Sequence, residues 1–122
     1  VVLHRGSRSG AMAVHKVTSA ADMQAQVGGA GGGLCVANFE ADWCAPCAHM
    51  NDVFLQLARA HPRARFLQVA AEEQDEVAEQ HSIEAVPTFV FLRAGHEVDR
   101  LTGADAPQLA AKVERWAAAA AA

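Results

Sequence analysis

Short runs of hydrophobic residues recur along the chain, and most of them are continuous rather than alternating. The runs LCVANF, RFLQVAA and VPTFVFL, at residues 34–39, 65–71 and 86–92, predict strands that are buried on both faces. A shorter apolar segment at residues 13–17 predicts an additional strand at the start of the fold. At residues 96–103, HEVDRLTG alternates between apolar and polar positions after a glycine, which predicts a strand that forms a hairpin with its predecessor.

The segments between these strands have the spacing or the composition of helices. Four helices are expected, over residues 20–27, 45–60, 72–82 and 106–116. Thr18 or Ser19 can cap the first of them, and the glycine-rich stretch 28–33 that follows it is expected to be a flexible loop. Pro62 closes the second helix, because the residue before a proline avoids the helical conformation.

The order of these segments predicts a single α/β domain over residues 13–117. Helices between the early strands imply parallel neighbours and the late hairpin adds antiparallel ones, so we expect a mixed central sheet with helices on both faces. Residues 1–12 lack the apolar stretch of a secretory signal and are expected to be a disordered N-terminal segment or a tag remnant. The alanine-rich stretch at residues 118–122 is expected to be a linker or a frayed helix end.

Charge and cysteine content narrow the classes of partner and the cellular location. The chain has 122 residues and a net charge of −4, so it lacks the basic surface that binds nucleic acid, and no nucleic-acid partner is expected. No apolar run approaches the ~20 residues of a membrane span, so no membrane partner is expected. An odd number of cysteines, three, argues against a secreted disulfide scaffold. We therefore expect a cytoplasmic protein that could also be nuclear.

Two of the cysteines form a C-x-x-C motif within FEADWCAPCAHMNDVF, at residues 39–54. This spacing is compatible with half of a zinc site, a structural disulfide or a redox centre. The sequence offers no second pair of zinc ligands at the usual spacing, and a disulfide across three residues closes too short a loop to stabilise a fold. Cys44 and Cys47 follow a buried strand at a helix start, whose N–H groups favour a thiolate. Redox chemistry without a metal is therefore the favoured interpretation, with the Cys44 sulfur exposed at the helix boundary.

The motifs FEADWCAPC, VPTF and GHEVDRLTGA resemble the thioredoxin family, and the resemblance covers residues 14–116. It implies the thioredoxin fold and a thiol–disulfide oxidoreductase that acts on protein disulfides, with Cys44 as the nucleophile and Cys47 as the resolving cysteine. Pro87 matches the family's cis-proline, and the backbone of Val86 before it would pair with a substrate peptide. Four further residues would shape the substrate groove: Trp43, Ala45 (in place of the family's glycine), Pro46 and Gly103.

A narrower resemblance concerns CAHMNDVF and the stretch from QVAAEE to AAKVERW, at residues 68–116. These are similar to the N-terminal thioredoxin-like domain of multidomain monothiol glutaredoxins, the PICOT group and its plant relatives. The resemblance implies that glutaredoxin domains follow Ala122 and bind an iron–sulfur cluster with glutathione. The chain itself has no C-G-F-S cluster motif, so no cofactor is expected in this domain. Thioredoxin reductase or glutathione would be the electron donor.

Three positions depart from ordinary thioredoxins. Asn38 stands where the family has a buried aspartate, Gln68 where it has the lysine partner of that aspartate, and Glu40 where it has a tryptophan. An asparagine cannot take a proton, so we expect the dithiol to resolve mixed disulfides slowly. The alternative function is a largely non-catalytic docking or targeting domain of a monothiol glutaredoxin that handles iron–sulfur clusters and takes part in redox regulation.

Other residues around the motif are weaker candidates for chemistry. His49 is expected to be a solvated surface residue, and Asp42 to raise the pKa of Cys44 slightly. The acids within residues 72–76 are expected to form a solvated helix face that could also repel or select partners. Cys35, in the middle of a predicted strand, is expected to be a small buried hydrophobe.

Overall fold

The computed structural model describes residues 13–121 and their side chains up to residue 119. Five strands are present in this part of the chain: β1 (Val14–Lys16), β2 (Leu34–Glu40), β3 (Arg65–Ala70), β4 (Thr88–Arg93) and β5 (His96–Thr102). The helices of the same part are α1 (Ala20–Gly29), α2 (Ala45–Ala60), α3 (Asp75–Gln80) and α4 (Ala106–Ala121). The segment 1–12, expected to be disordered or a tag remnant, lies outside the described residues.

The strands form one mixed sheet in the order β1-β3-β2-β4-β5. β3 runs parallel to both β1 and β2, whereas β4 is antiparallel to β2 and β5 is antiparallel to β4. Of the two parallel pairs, β2 and β3 are joined directly through α2, and the antiparallel pair β4–β5 is the predicted hairpin. The sequence-based prediction of a mixed sheet with parallel early strands and a late hairpin is therefore confirmed.

Helices cover both faces of the sheet, because alternate residues of the strands point to opposite sides. On one face, α1 and α3 pack through Met23, Val77 and Ala78 against strand residues that include Phe39 and Leu67. The other core cluster joins α2 and α4 to the sheet, and its buried residues are Leu34, Val36, Met50, Phe54, Ala58, Phe66, Phe89, Phe91, Leu101, Leu109 and Val113. All seven residues of β2 are buried, as a central strand between two helical layers should be.

The ends of three helices differ from the sequence-based expectation. α1 continues to Gly29, which shortens the predicted glycine loop. α3 has six residues instead of the predicted 72–82, because only Val77 and Ala78 of this polar segment are buried. α4 continues to Ala121, past the expected domain boundary, since alanine is the strongest helix former. The idea that this tail also links to a further domain stays a prediction.

Candidate active site

The two cysteines of the C-x-x-C motif lie at the junction of β2 and α2, as predicted. β2 ends at Glu40, and Cys44 then caps α2, its sulfur accepting the backbone N–H of Cys47 at 3.2 Å. Cys44 and Cys47 form a disulfide, with their Cα atoms 5.2 Å apart. Pro46 lies in the first turn of the helix, where a backbone N–H would have no intrahelical partner.

The disulfide is more buried than the sequence suggested. Only 6% of Cys44 and 1% of Cys47 is exposed to solvent. Both cysteines pack against Ala41 and the half-buried Val86. The expectation of an exposed Cys44 sulfur is therefore wrong, because the loop that carries Val86 covers most of it.

The loop before β4 faces the disulfide. The Val86–Pro87 peptide bond is cis, and the carbonyl oxygen of Val86 lies 3.9 Å from the Cys44 sulfur. The backbone N–H of Gly103 donates to the carbonyl oxygen of Pro87 at 2.9 Å, which ties the end of the hairpin to this loop. β4 itself begins at Thr88, so Val86 and Pro87 precede the strand that was predicted to include them. The structure thus brings the cysteines together with Val86, Pro87 and Gly103.

Trp43 presents an open indole beside the disulfide. The residue is 70% exposed, and its ring N–H donates to a carboxylate oxygen of Glu72 at 2.6 Å. Ala45 and Pro46 are exposed next to it. The Glu72 contact was not anticipated from the sequence, although a signal existed: β2 and β3 are parallel and end at the same edge, where Glu40 pairs with Ala70. Parallel pairing therefore places the residues that follow both strands side by side.

A pair of hydrogen-bonded asparagine side chains joins β2 to α2. Asn38, in β2, is 1% exposed, and its Nδ2 donates to Oδ1 of Asn51 in α2 at 2.8 Å. The Oδ1 atom of Asn38 is buried and has no hydrogen-bond partner among the described residues. Gln68 is the neighbour of Asn38 on β3. Neither amide can take a proton at neutral pH, so these positions hold no acid–base group. Asn51 had not been singled out from the sequence.

The third cysteine is separated from the other two by the sheet. Cys35 belongs to the core cluster on the α1 and α3 side, whereas Cys47 lies in α2, on the other side. Burial raises the pKa of the Cys35 thiol to about 12, against a smaller opposing effect of the Arg65 charge. The prediction of a small buried residue at this position is confirmed.

The remaining candidates lie at the surface. His49 and Asp42 are exposed, as the sequence predicted for His49. Glu72 and Glu73 lie in the turn before α3, and Asp75 and Glu76 form its first turn. An influence of Asp42 on Cys44 stays a prediction.

Within residues 13–121, no group of three or more His, Cys, Asp or Glu residues is placed to hold a metal ion. In the same part of the chain, no helix combines the length and the apolar character that crossing a membrane requires.

Comparison with known proteins matches the chain and its fold to one family. The family model named Thioredoxin matches residues 14–115. Thioredoxin H-type of Picea mariana is 40% identical over 87 residues, which cover 71% of this chain and 70% of that protein. The crystal structure of Fasciola hepatica thioredoxin superposes with a TM-score of 0.81 at 34% identity, covering 84% of this chain and 98% of that one.

Other similar proteins are much longer than this chain. Glutaredoxin-3 of Bos taurus is 39% identical over 112 residues, which are 92% of this chain and 34% of that protein. Monothiol glutaredoxin-S11 of Oryza sativa subsp. japonica is 44% identical over 105 residues, 86% of this chain and 21% of that protein. The chain therefore spans about a fifth to a third of the length of these relatives.

Proposed function

The chain belongs to the thioredoxin family, and from this premise we propose that it is a thiol–disulfide oxidoreductase domain of a multidomain monothiol glutaredoxin. The observation that supports the activity is the disulfide between Cys44 and Cys47 at the start of α2, with the Val86–Pro87 loop against it. Protein disulfides are its proposed substrates. The proposed electron donor is thioredoxin reductase or glutathione.

Cys44 is the nucleophile of the reduced protein. Its sulfur caps α2, where the helix dipole and the N–H of Cys47 favour negative charge. The thiolate attacks one sulfur of the substrate disulfide and forms a mixed disulfide with it. The other substrate sulfur leaves as a thiolate and takes a proton from water. Val86 and Pro87 border the Cys44 sulfur. The proposed groove is completed by Trp43, Ala45, Pro46 and Gly103.

Cys47 completes the exchange. Its thiol loses a proton, and the resulting thiolate attacks the Cys44 sulfur and displaces the substrate sulfur. The substrate leaves with two thiols, and the Cys44–Cys47 disulfide forms again. Two electrons from the donor, for example from two glutathione thiols that become one glutathione disulfide, then restore the dithiol.

Reduction of insulin by dithiothreitol, with the chain present in catalytic amounts, tests the activity. We expect the chain to accelerate the reduction, Cys44→Ser to abolish the acceleration, and Cys47→Ser to accumulate a mixed disulfide that mass spectrometry detects. Cys35→Ala is the matched control, and it should keep the parent rate because Cys35 lies on the other side of the sheet. A parent chain no faster than buffer would refute the proposed activity.

A second candidate function is docking or targeting. It is favoured by Asn38 and Gln68, which carry no group that can take a proton where ordinary thioredoxins have an aspartate and a lysine, and by the similarity to proteins several times longer. Replacing both Cys44 and Cys47 by serine in the full-length protein separates the two candidates. Retained function would favour docking, whereas lost function in a folded protein would favour redox chemistry.

We place no iron–sulfur cluster in this domain. Clusters are usually held by four cysteine thiolates, but Cys35 is buried on the far side of the sheet from Cys44 and Cys47 and cannot join them. The proposed sites for the cluster and glutathione are glutaredoxin domains elsewhere in the full-length protein. The proposed location is the cytoplasm, with the nucleus as a second compartment, because the chemistry requires a reducing environment.

A further inference from the structure

The loop that faces the disulfide depends on hydrogen bonds at its two ends. We call residues 82–87, between α3 and β4, the substrate loop. Glu84 and Ala85 are exposed, so side-chain packing does not fix the middle of this loop. At the β4 end, the hydroxyl of Thr88 donates to the carbonyl oxygen of Ala85 at 2.6 Å. The α3 end needs a corresponding contact, because α3 has only six residues and a helix this short is not stable by itself.

Arg100, in β5, holds the α3 end of the substrate loop. One terminal nitrogen of its guanidinium donates to the carbonyl oxygen of His81 at 2.6 Å, and the other to the carbonyl oxygen of Ser82 at 3.4 Å. At these two residues α3 ends and the chain changes direction, since Ser82 has a φ of 54°. Arginine side chains commonly donate to the last carbonyl oxygens of a helix. Arg100 therefore ties the end of α3 and the start of the loop to the hairpin.

Glu97 fixes the guanidinium in this orientation. Its two carboxylate oxygens accept hydrogen bonds from Nε and from one terminal nitrogen of Arg100, both at 2.8 Å. Such a two-point ion pair restricts the rotation of an arginine more than a single contact does. The side chains of Arg100 and Glu97 are 29% and 37% exposed. Ion pairs this exposed contribute little to folding stability, so a variant that loses this pair should still fold.

The loop that Arg100 holds leads directly to the backbone beside the disulfide. Val86 follows Ser82 by four residues, and its carbonyl oxygen lies 3.9 Å from the Cys44 sulfur. In the proposed function, the backbone of Val86 pairs with a substrate peptide, and such hydrogen bonds tolerate a displacement of only a few tenths of an ångström. A small disulfide without peptide groups forms no such hydrogen bonds, so its reaction with Cys44 does not depend on the position of the loop.

We propose that Arg100 is a positioning residue that sets the substrate loop for backbone pairing, and that it thereby makes the domain prefer disulfides carried by a polypeptide to small disulfides. Glu97 orients Arg100 for this role. The proposal rests on the redox function proposed above, since it concerns how that reaction selects its substrate.

Arg100→Gln tests the proposal. Pre-reduced protein is mixed by stopped flow either with a disulfide peptide of uncharged residues or with hydroxyethyl disulfide, which has no peptide group. At low concentration of the peptide we expect the rate to fall by about fivefold to tenfold, the effect of one net hydrogen bond. The peptide concentration at half-maximal rate should rise, while the maximal rate and the rate with hydroxyethyl disulfide should change by less than about twofold. Arg100→Lys keeps one charged donor and should show a smaller loss.

Lys112→Gln is the matched control. It removes the same charge and a comparable ion pair of β5, because Nζ of Lys112 donates to both carboxylate oxygens of Asp99 at 2.9 and 3.0 Å. This pair joins β5 to α4 instead of the substrate loop, so both rates should stay at the parent values. If Arg100→Gln slows both substrates equally, or slows neither, the proposal is wrong. If the reduced parent protein reacts with neither disulfide, the proposed redox function itself fails.

Hydrogen exchange tests the position of the loop without a substrate. The N–H of Ser82 donates to the carbonyl of Glu79 at 3.0 Å, and the N–H of Ile83 donates to that of Ala78 at 2.9 Å. These hydrogen bonds should open more often without Arg100, so exchange over residues 79–87 should rise by about threefold or more in Arg100→Gln. The milder Arg100→Lys gives the same readout should Arg100→Gln not fold. Unchanged exchange in this segment, or an equal rise in β2, would overturn the proposal.

Discussion

At the scale of single residues, Cys35 and Cys44 differ in reactivity because they lie on opposite sides of the sheet. Cys35 lies on the α1 and α3 side, where burial raises the pKa of its thiol to about 12, so it stays protonated at neutral pH. The thiolate is the form that reacts with alkylating agents. We expect iodoacetamide to modify Cys44 in the folded, reduced protein and to leave Cys35 unmodified until the protein is denatured. Peptide mapping by mass spectrometry checks this, and equal labelling of both cysteines would contradict it.

Gly103 is the residue whose backbone conformation matters most for the site. Its φ of 110° lies in the region that favours glycine, while a Cβ there would meet no atom within 4 Å. Gly103→Ala should therefore lower the free energy of unfolding by about 1–3 kcal/mol through backbone strain alone. It should also slow disulfide exchange, because the N–H of Gly103 holds the carbonyl of Pro87.

Urea unfolding of two separate variants, Gly103→Ala and the control Gly32→Ala, measures this strain. A Cβ at Gly32 also meets open space, but the residue does not have a positive φ, so its change should stay within about 0.5 kcal/mol. Equal losses in the two variants would show that backbone strain is not the cause.

At the scale of elements, one carboxylate fastens α1 to the first strand. Oδ2 of Asp22 accepts from Nε2 of His15 in β1 and from the backbone N–H of Thr18, both at 2.9 Å, while the N–H of Asp22 donates to Ser19 at the N-cap. The His15 hydrogen bond and then the Thr18 N–H lower the pKa of Asp22 from 3.8 to about 2. The carboxylate therefore stabilises the fold above its ordinary pKa, and this stabilisation is lost as the pH falls towards 2.

Asp22→Asn should show this pH dependence directly. At pH 7 the variant should be less stable than the parent by at most about 1 kcal/mol, because solvent screens the Asp22 charge. Because the parent loses its advantage when Asp22 is protonated, the difference should shrink between about pH 4 and pH 2. Urea unfolding at several pH values checks this. A difference that is constant across the range would mean that the charge of Asp22 contributes nothing.

The predictability of each element follows from how its ends are determined. The strands and α2 could be predicted from the sequence to within about two residues, because continuous or alternating apolar positions mark the strands and Pro62 marks the end of α2. The ends of α3 could not, since a segment with two buried residues has no apolar stripe to define its length. The contacts Trp43–Glu72 and Asn38–Asn51 join residues 29 and 13 positions apart, and they depend on strand order and on the way α2 lies over the sheet. Local sequence patterns contain neither the strand order nor the position of α2 over the sheet.

At the scale of the whole molecule, charges separate along the strands. The disulfide end, where β2 and β3 finish and β4 begins, carries exposed acids: Asp42, Glu72, Glu73, Asp75, Glu84 and Asp105. The arginine end is the opposite end of the sheet, and its arginines are Arg59, Arg63, Arg65, Arg93 and Arg115. A partner that approaches the disulfide therefore meets a negative field, which attracts cations and repels anions.

This separation predicts how the rate of disulfide exchange depends on partner charge and on salt. A disulfide peptide flanked by lysines should react faster than one flanked by glutamates at low ionic strength, and added salt should reduce the difference because it screens exposed charges. Glu73→Gln at the disulfide end should slow the cationic peptide by about twofold, since one charge at about 10 Å in water contributes about 0.4 kcal/mol. Glu114→Gln makes the same change near the arginine end and should leave the rate as it is. Stopped-flow measurement of both variants decides the matter: equal effects would mean that net charge, and not its placement at the disulfide end, sets the rate.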